Sequence, residues 1–221
     1  MSLDWSIFVT YGPDILRGVR LTIILSIVGS AVALCVGAAL ALVLSFARTT
    51  MLRAPIRAYI EFFRGTPLLV QLFLLYYGGP HLGVTLNAVT VGIVGLGLYG
   101  GAYVAEILRG GIESIPPGQL EAARSFGYSG AQRVRYIVLP QMLVVVLPPL
   151  TNMLIIIMKD TAILSVITVP ELTFQVTALT LETFAFVEPF AMLAIGYWTL
   201  VELTAYLGRE LERRVGFYLA R

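Results

Sequence analysis

One cysteine, one histidine and little charge mark this 221-residue chain by their scarcity. The lone Cys35 excludes an intrachain disulfide and a zinc site built on several thiolates. Its place inside an apolar run predicts a small buried thiol rather than a reactive one. His81 has no cysteine or second histidine near it, so no metal site is expected there. Charged residues make up 13% of the chain, where a soluble domain carries about 25%. A net charge of +2 is too small to point to nucleic acid. The chain has no Gly-x-x-x-x-Gly-Lys-Ser/Thr phosphate loop and no His-Glu-x-x-His pair, so neither ATP hydrolysis nor zinc-peptidase chemistry is expected of it. The first eighteen residues lack the basic start and small-residue site of a cleavable signal, which leaves the first apolar span as the membrane address. No internal repeat is evident, against a self-contained carrier built on inverted repeats.

What is abundant is apolar sequence: 58% of residues are hydrophobic and the mean hydropathy is +0.87. A bilayer core of about 30 Å needs about 20 apolar helical residues. Leu21–Ala47 is charge-free and long enough. Gly65–Ala105 is also charge-free but too long for one helix, and the turn residues Gly78-Gly79-Pro80-His81 to Asn87 divide it. Spans are expected at about Pro55–Gly79 and Leu86–Leu108, with a fourth at Ile137–Met158 interrupted by Pro148-Pro149, and a fifth at Phe184–Leu207. Thr161–Pro170 and Leu172–Leu181 are too short to cross, and are expected at the outer mouth of a path through the membrane. The expected class is an all-α integral membrane protein of five spans, a single domain over residues 1–221.

Arginines set the orientation. Arg48, Arg53 and Arg57 follow span one. Arg109, Arg124, Arg133 and Arg135 follow span three, and Arg209, Arg213, Arg214 and Arg221 follow span five. With five spans these eleven share one side, against Arg17 and Arg20 on the other, so the N-terminus is expected outside and the C-terminus in the cytoplasm.

Between spans three and four lies a polar island, the stretch from Tyr103 to Pro140. Pro116-Pro117 can start a helix but not continue one. A short helix is expected over Gly118–Phe126 with Gly127 as its C-terminal cap, then a second helix capped by Ser129 and running to about Val138. The island holds Glu121-Ala122-Ala123, then Gly127, then Ile137, Leu139 and Pro140. Phe63-Arg64-Gly65-Thr66-Pro67-Leu68-Leu69-Val70-Gln71, Ala105-Glu106-Ile107, Ser114-Ile115-Pro116, Leu139-Pro140-Gln141, Leu147-Pro148-Pro149 and Lys159-Asp160-Thr161 flank that pattern in order. Together these words resemble the ATP-binding-cassette importer permeases of the polar amino acid family (histidine, glutamate, glutamine, arginine), over about Gly18 to Leu207. Two departures stand out. Met142 sits where the family commonly has Ala, and Thr161-Ala162-Ile163 replaces Thr-Ser-Leu.

The resemblance implies the type I importer permease fold in a bacterial inner membrane. It implies two cytoplasmic ATPase subunits, a second permease (copy or paralogue) and an external substrate-binding protein. ATP and Mg would be bound by the ATPase, leaving this chain without a cofactor. Residues 116–138 would be the coupling loop, with Pro116, Gly118, Glu121, Ala122, Ala123 and Gly127 gripping the ATPase. Asn152, Lys159, Asp160, Thr161 and Ser165 are candidate substrate-path residues. For either Lys159 or Asp160 alone, a salt bridge that ties span four to its neighbours is the favoured reading, and Asn152 is equally readable as a bridge between helices. Arg64, Thr66, Pro67 and Glu106 are gate or structural candidates. Arg64 is expected to pair with Glu61. Gly97-x-x-x-Gly101 predicts close helix packing.

Overall fold

Helices account for nearly all of the computed structural model, which describes residues 7–47 and 49–219. Arg48 and Arg221 lie outside the described residues. The first helix, α1 (Ile7–Phe46), is longer than the apolar run alone required, because Pro13 near its start leaves the helix intact. The second is α2 (Thr50–Gly65). After Thr66 and Pro67 comes α3 (Leu68–Phe73), continued by a π turn at Leu74–Gly78 and a 3-10 turn at Gly79–Leu82. Then come α4 (Ala88–Glu113), α5 (Pro117–Ser125), α6 (Gly130–Arg133), a π turn at Val134–Val138, and α7 (Leu139–Asp160). A 3-10 segment (Thr161–Ile167), α8 (Leu172–Thr183) and α9 (Val187–Leu219) complete the chain.

Four stretches are long and apolar enough to cross a membrane unbroken: Thr10–Ser45, Ala88–Glu113, Gly130–Ile167 and Val187–Gly216. The fifth crossing differs from expectation. Thr50–Gly65 and Leu68–Leu82 meet at 109°, so the span does not run straight from Pro55 to Gly79. Arg53, Arg57, Glu61 and Arg64 fall within 16 residues of α2, a density that keeps that helix out of hydrocarbon. Arg64 lies beside Glu106 of α4. The chain from Leu68 to Asn87 therefore climbs the height that α4 descends between Ala88 and Glu106, about 27 Å at 1.5 Å per residue.

The core forms where α1, α3, α4 and α7 meet, around Leu25, Leu72, Leu96, Val104 and Ile157, all fully buried. The glycine spacing in α4 acts within the bundle. A Cβ on Gly101 would come within 2.8 Å of Val36 Cγ1, and one on Gly97 would overlap the Val32 side chain, so α1 and α4 approach at backbone distance. Cys35 corrects the expectation of a buried thiol: it is exposed, because the α1 face carrying Val32, Ala33 and Val36 is the one that meets α4.

Pro148 and Pro149 do not interrupt α7, which runs helical through both. Each lacks an N–H, but the carbonyls they leave unbonded belong to one exposed turn, at Val144 and Val145, and membrane helices tolerate such a gap when the rest of the ladder holds.

Candidate functional site

The polar island folds as capped helices. Pro116 takes the N-cap of α5 and Pro117 its first turn, where a missing N–H costs nothing. At the other end Gly127 has φ +78. The Gly127 N–H donates to the Arg124 carbonyl at 2.9 Å and the Tyr128 N–H to the Ala123 carbonyl at 3.0 Å. That pair of bonds is the Schellman closure, which needs a left-handed residue where only glycine is unstrained. Gly127 has no heavy atom within 4 Å of a built Cβ, so conformation rather than close approach selects it.

Ser129 caps α6 reciprocally with Gln132: the Gln132 N–H donates to Ser129 Oγ at 3.3 Å, and the Ser129 N–H to Gln132 Oε1 at 2.8 Å. The helix that begins here does not stop at Val138. It passes through the π turn into α7, so α6 and span four form one continuous rod. Ser114, Ile115 and Pro116 join α4 to α5. Ala123 is buried, whereas Glu121, Ala122 and Gly118 are exposed, and Phe126 is 83% exposed. Gln141 Nε2 donates to the Gln119 side-chain oxygen at 2.5 Å, tying α5 to the foot of α7.

Next to this pair, α4 carries an ion-pair chain. Arg109 donates to Glu106 at 2.8 and 3.0 Å and to Glu113 at 2.6 Å. Arg64 reaches the same Glu106 at 3.6 Å and stacks 5.3 Å over the Tyr103 ring. Its partner is thus Glu106, not the expected Glu61, because the bend after α2 turns Arg64 toward α4. The bend itself is pinned by Gln71. Its Nε2 donates to the carbonyls of Phe63 (3.0 Å) and Thr66 (3.1 Å) and to Thr66 Oγ1 (2.8 Å), closing the end of α2. Thr66 in turn donates to the Phe62 carbonyl, and Pro67 is the N-cap of α3.

At the far end of α7 the substrate-path candidates divide. Lys159 and Asn152 are exposed, Asp160 is half-buried, and among the described residues neither Lys159 nor Asp160 makes a salt bridge. Ser165 donates to the Ala162 carbonyl at 2.7 Å. Thr161 is fully buried and donates to the Met158 carbonyl at 2.7 Å. It belongs to a polar network that the sequence reading missed, centred on Glu171, itself 0% exposed.

Glu171 caps α8. Its Oε1 accepts from the Phe174 N–H and its Oε2 from the Thr173 N–H, each at 2.9 Å, and Tyr197 Oη donates to Oε2 at 2.8 Å. Thr22 of α1 accepts from the Leu172 N–H at 3.1 Å, and the Thr161 and Thr173 hydroxyls lie 3.3 and 3.1 Å from Tyr197 Oη. Burial pushes the Glu171 carboxyl above the usual carboxylate range, and the Thr173, Tyr197 and Phe174 donors pull it back. The carboxylate thus fastens α1, α8 and α9, and Tyr197 extends the network to Thr161 of the 3-10 segment. The signal available in sequence was an acidic residue directly after Pro170 at the head of an apolar run, a helix-start pattern.

Residues 33–217 match the family described as the inner membrane component of binding-protein-dependent transport systems. The chain belongs to that family. Membership makes it a multi-pass inner-membrane protein and implies ATPase and substrate-binding partners. It is 36% identical over 210 residues to the probable amino-acid ABC transporter permease protein YckA of Bacillus subtilis, covering 94% of this chain and 91% of that one. It is 34% identical to the glutamine transport system permease protein GlnP of Escherichia coli K12, covering 97% and 99%. Among solved structures, an amino acid ABC transporter crystallised with histidines matches with a TM-score of 0.89 at 36% identity, over 97% of this chain and all of that chain. The likeness covers every span, so the bend after α2 and the α5–α6 pair both lie inside the part these proteins share.

Proposed function

We propose that this chain, the permease subunit of an amino-acid ABC importer, carries polar amino acids, forms half of the translocation path, and is moved by a cytoplasmic ATPase through α5 and α6. The observation that carries this reading is the mechanical layout of the polar island. An exposed, doubly capped helix pair is joined by three residues to one membrane helix and without a break to another. Glu121 and Ala122 offer an exposed acid and a flat face, and Phe126 offers an exposed aromatic of the kind enriched at protein contacts.

In this reading the N-terminus lies outside and the C-terminus in the cytoplasm. Two permeases, copies or paralogues, pair above two ATPases, which hold ATP and Mg, while a substrate-binding protein delivers its cargo from outside. Closing of the ATPase pair swings α5 and α6, and the spans rock between inward- and outward-open arrangements. Lys159 and Asp160, which make no salt bridge among the described residues, offer opposite charges at the end of α7 to the two ends of a zwitterion. Asn152, Thr161 and Ser165 line or brace that route. Arg64 and Glu106, with Thr66 and Pro67 at the bend, form the inner gate.

Uptake of labelled glutamine, arginine and histidine, each tested singly in cells that express the whole importer, examines this. Glu121→Ala is expected to abolish uptake while the chain stays in the membrane at its normal level. Undiminished uptake by that variant would refute the coupling role.

A further inference from the structure

Under α4, at the same end of the bundle as α5, a cavity of about 600 Å³ opens between α1, α2 and α4. Arg53, Arg57, Arg64 and Arg109 line it together with Glu61, Glu106 and Glu113. Two of these arginines are already engaged: Arg109 by Glu106 and Glu113, and Arg64 by Glu106. Arg53 and Arg57, one helical turn apart on α2, make no salt bridge among the described residues, and Arg53 Nε is buried without a hydrogen-bond partner. A buried guanidinium N–H left unpaired is costly unless something else meets it. Glu61 lies a turn beyond Arg57, so the cationic end of the cavity is the end nearer Thr50.

The same helix is amphipathic. Met51, Leu52 and Phe62 are 89%, 57% and 50% exposed, away from the cavity, and the 109° bend sets α2 across its apolar continuation. A helix with arginines on one face and large apolar side chains on another lies in the plane of a membrane surface. The apolar face seats α2 at the membrane surface, and that depth brings Arg53 and Arg57 to the level of the lipid phosphates. A free anion would use only the arginines.

We propose that Arg53 and Arg57 form a binding site for the phosphate of an anionic phospholipid, with α2 lying at the membrane surface beside it. The leaflet, inner, rests on the orientation proposed above; the site itself does not.

The test is native mass spectrometry of the chain with its co-purifying ATPase, released from nanodiscs of phosphatidylglycerol or of phosphatidylcholine. Phosphatidylglycerol is expected to remain bound and phosphatidylcholine to leave. At the attraction typical of one basic residue near an anionic surface, Arg53→Gln with Arg57→Gln weakens phosphatidylglycerol retention roughly thirtyfold. The Arg53→Lys, Arg57→Lys pair keeps most of it, and Arg17→Gln, at the opposite end of α1, changes nothing. Arg57→Gln alone, at an exposed position, guards against misfolding and is expected to weaken retention about fivefold. Equal retention by Arg57→Gln and the parent would overturn the proposal. So would displacement of the lipid by millimolar inorganic phosphate or by a free amino acid, which would reassign the cavity to a soluble ligand. Failure of an ATPase to co-purify would count against the importer reading and leave the lipid measurement intact.

Discussion

Where α4 crosses α1, glycines at 97 and 101 admit Val32 and Val36 to near-backbone distance, whereas α5, a few residues past the end of α4, buries Ala123 and leaves Glu121, Ala122 and Phe126 to solvent. The first region is held mainly by packing, with Tyr59 of α2 donating to the Leu98 carbonyl at 2.6 Å beside it. The second is held by caps: Pro116 and Pro117 at one end, the Gly127 closure and the Ser129–Gln132 box at the other. A surface that must fit another protein has to keep its shape without a core behind it, and hydrogen-bonded helix ends supply that. The contrast separates substitutions that unfold the permease from those that uncouple it.

Gly97→Leu is expected to do the most damage. Overpacking against Val32 costs about 3 kcal/mol or more, and folded protein should be lost, read as a collapse of the thermal transition of the detergent-solubilised chain. A transition within a degree of the parent would mean that α1 and α4 can part. Tyr197→Phe removes one donor from the buried Glu171 and should cost about 2 kcal/mol, seen as a lower melting temperature. A neutral result would make the Glu171 network dispensable. Gly127→Ala forces a left-handed alanine and should cost about 1 kcal/mol, less than Gly97→Leu but with a larger fractional loss of transport than of melting temperature. If melting and transport fall in step, the cap is merely structural. Arg213→Gln breaks an exposed pair with Glu210 and should leave both readouts unchanged.

Much of this contrast was legible in the sequence, for local reasons. Pro116-Pro117, Gly127 and Ser129 act within a turn of themselves, so their roles as start, stop and cap need no tertiary information. The helix found, Pro117–Ser125, sits within a residue of the one expected. The apolar runs likewise placed four of five crossings, and the Gly97–Gly101 spacing foretold the α4 seam. What failed was decided at a distance. Arg64 chose Glu106 over Glu61 because the bend after α2 turned it, and the bend depends on Gln71 bridging Phe63 and Thr66. Pro148-Pro149 was expected to break α7, but local propensity gave way to the rest of the span's hydrogen-bond ladder. Cys35 proved exposed because burial in a bundle depends on which face meets α4, which hydropathy alone does not report. The Glu171 network joins residues 149 positions apart, Thr22 to Glu171, and no window along the chain contains it.

The claim on which the account turns is that α5 and α6 carry force from an ATPase. The direct test is ATP hydrolysis by the chain with its co-purifying ATPase and binding protein in liposomes, with amino acids added one at a time. Stimulation by a polar amino acid that disappears in Glu121→Ala, with the ATPase still bound and the basal rate retained, is the predicted result. Equal stimulation in the parent and in Glu121→Ala would contradict it, as would movement of solute by the chain alone along an ion gradient.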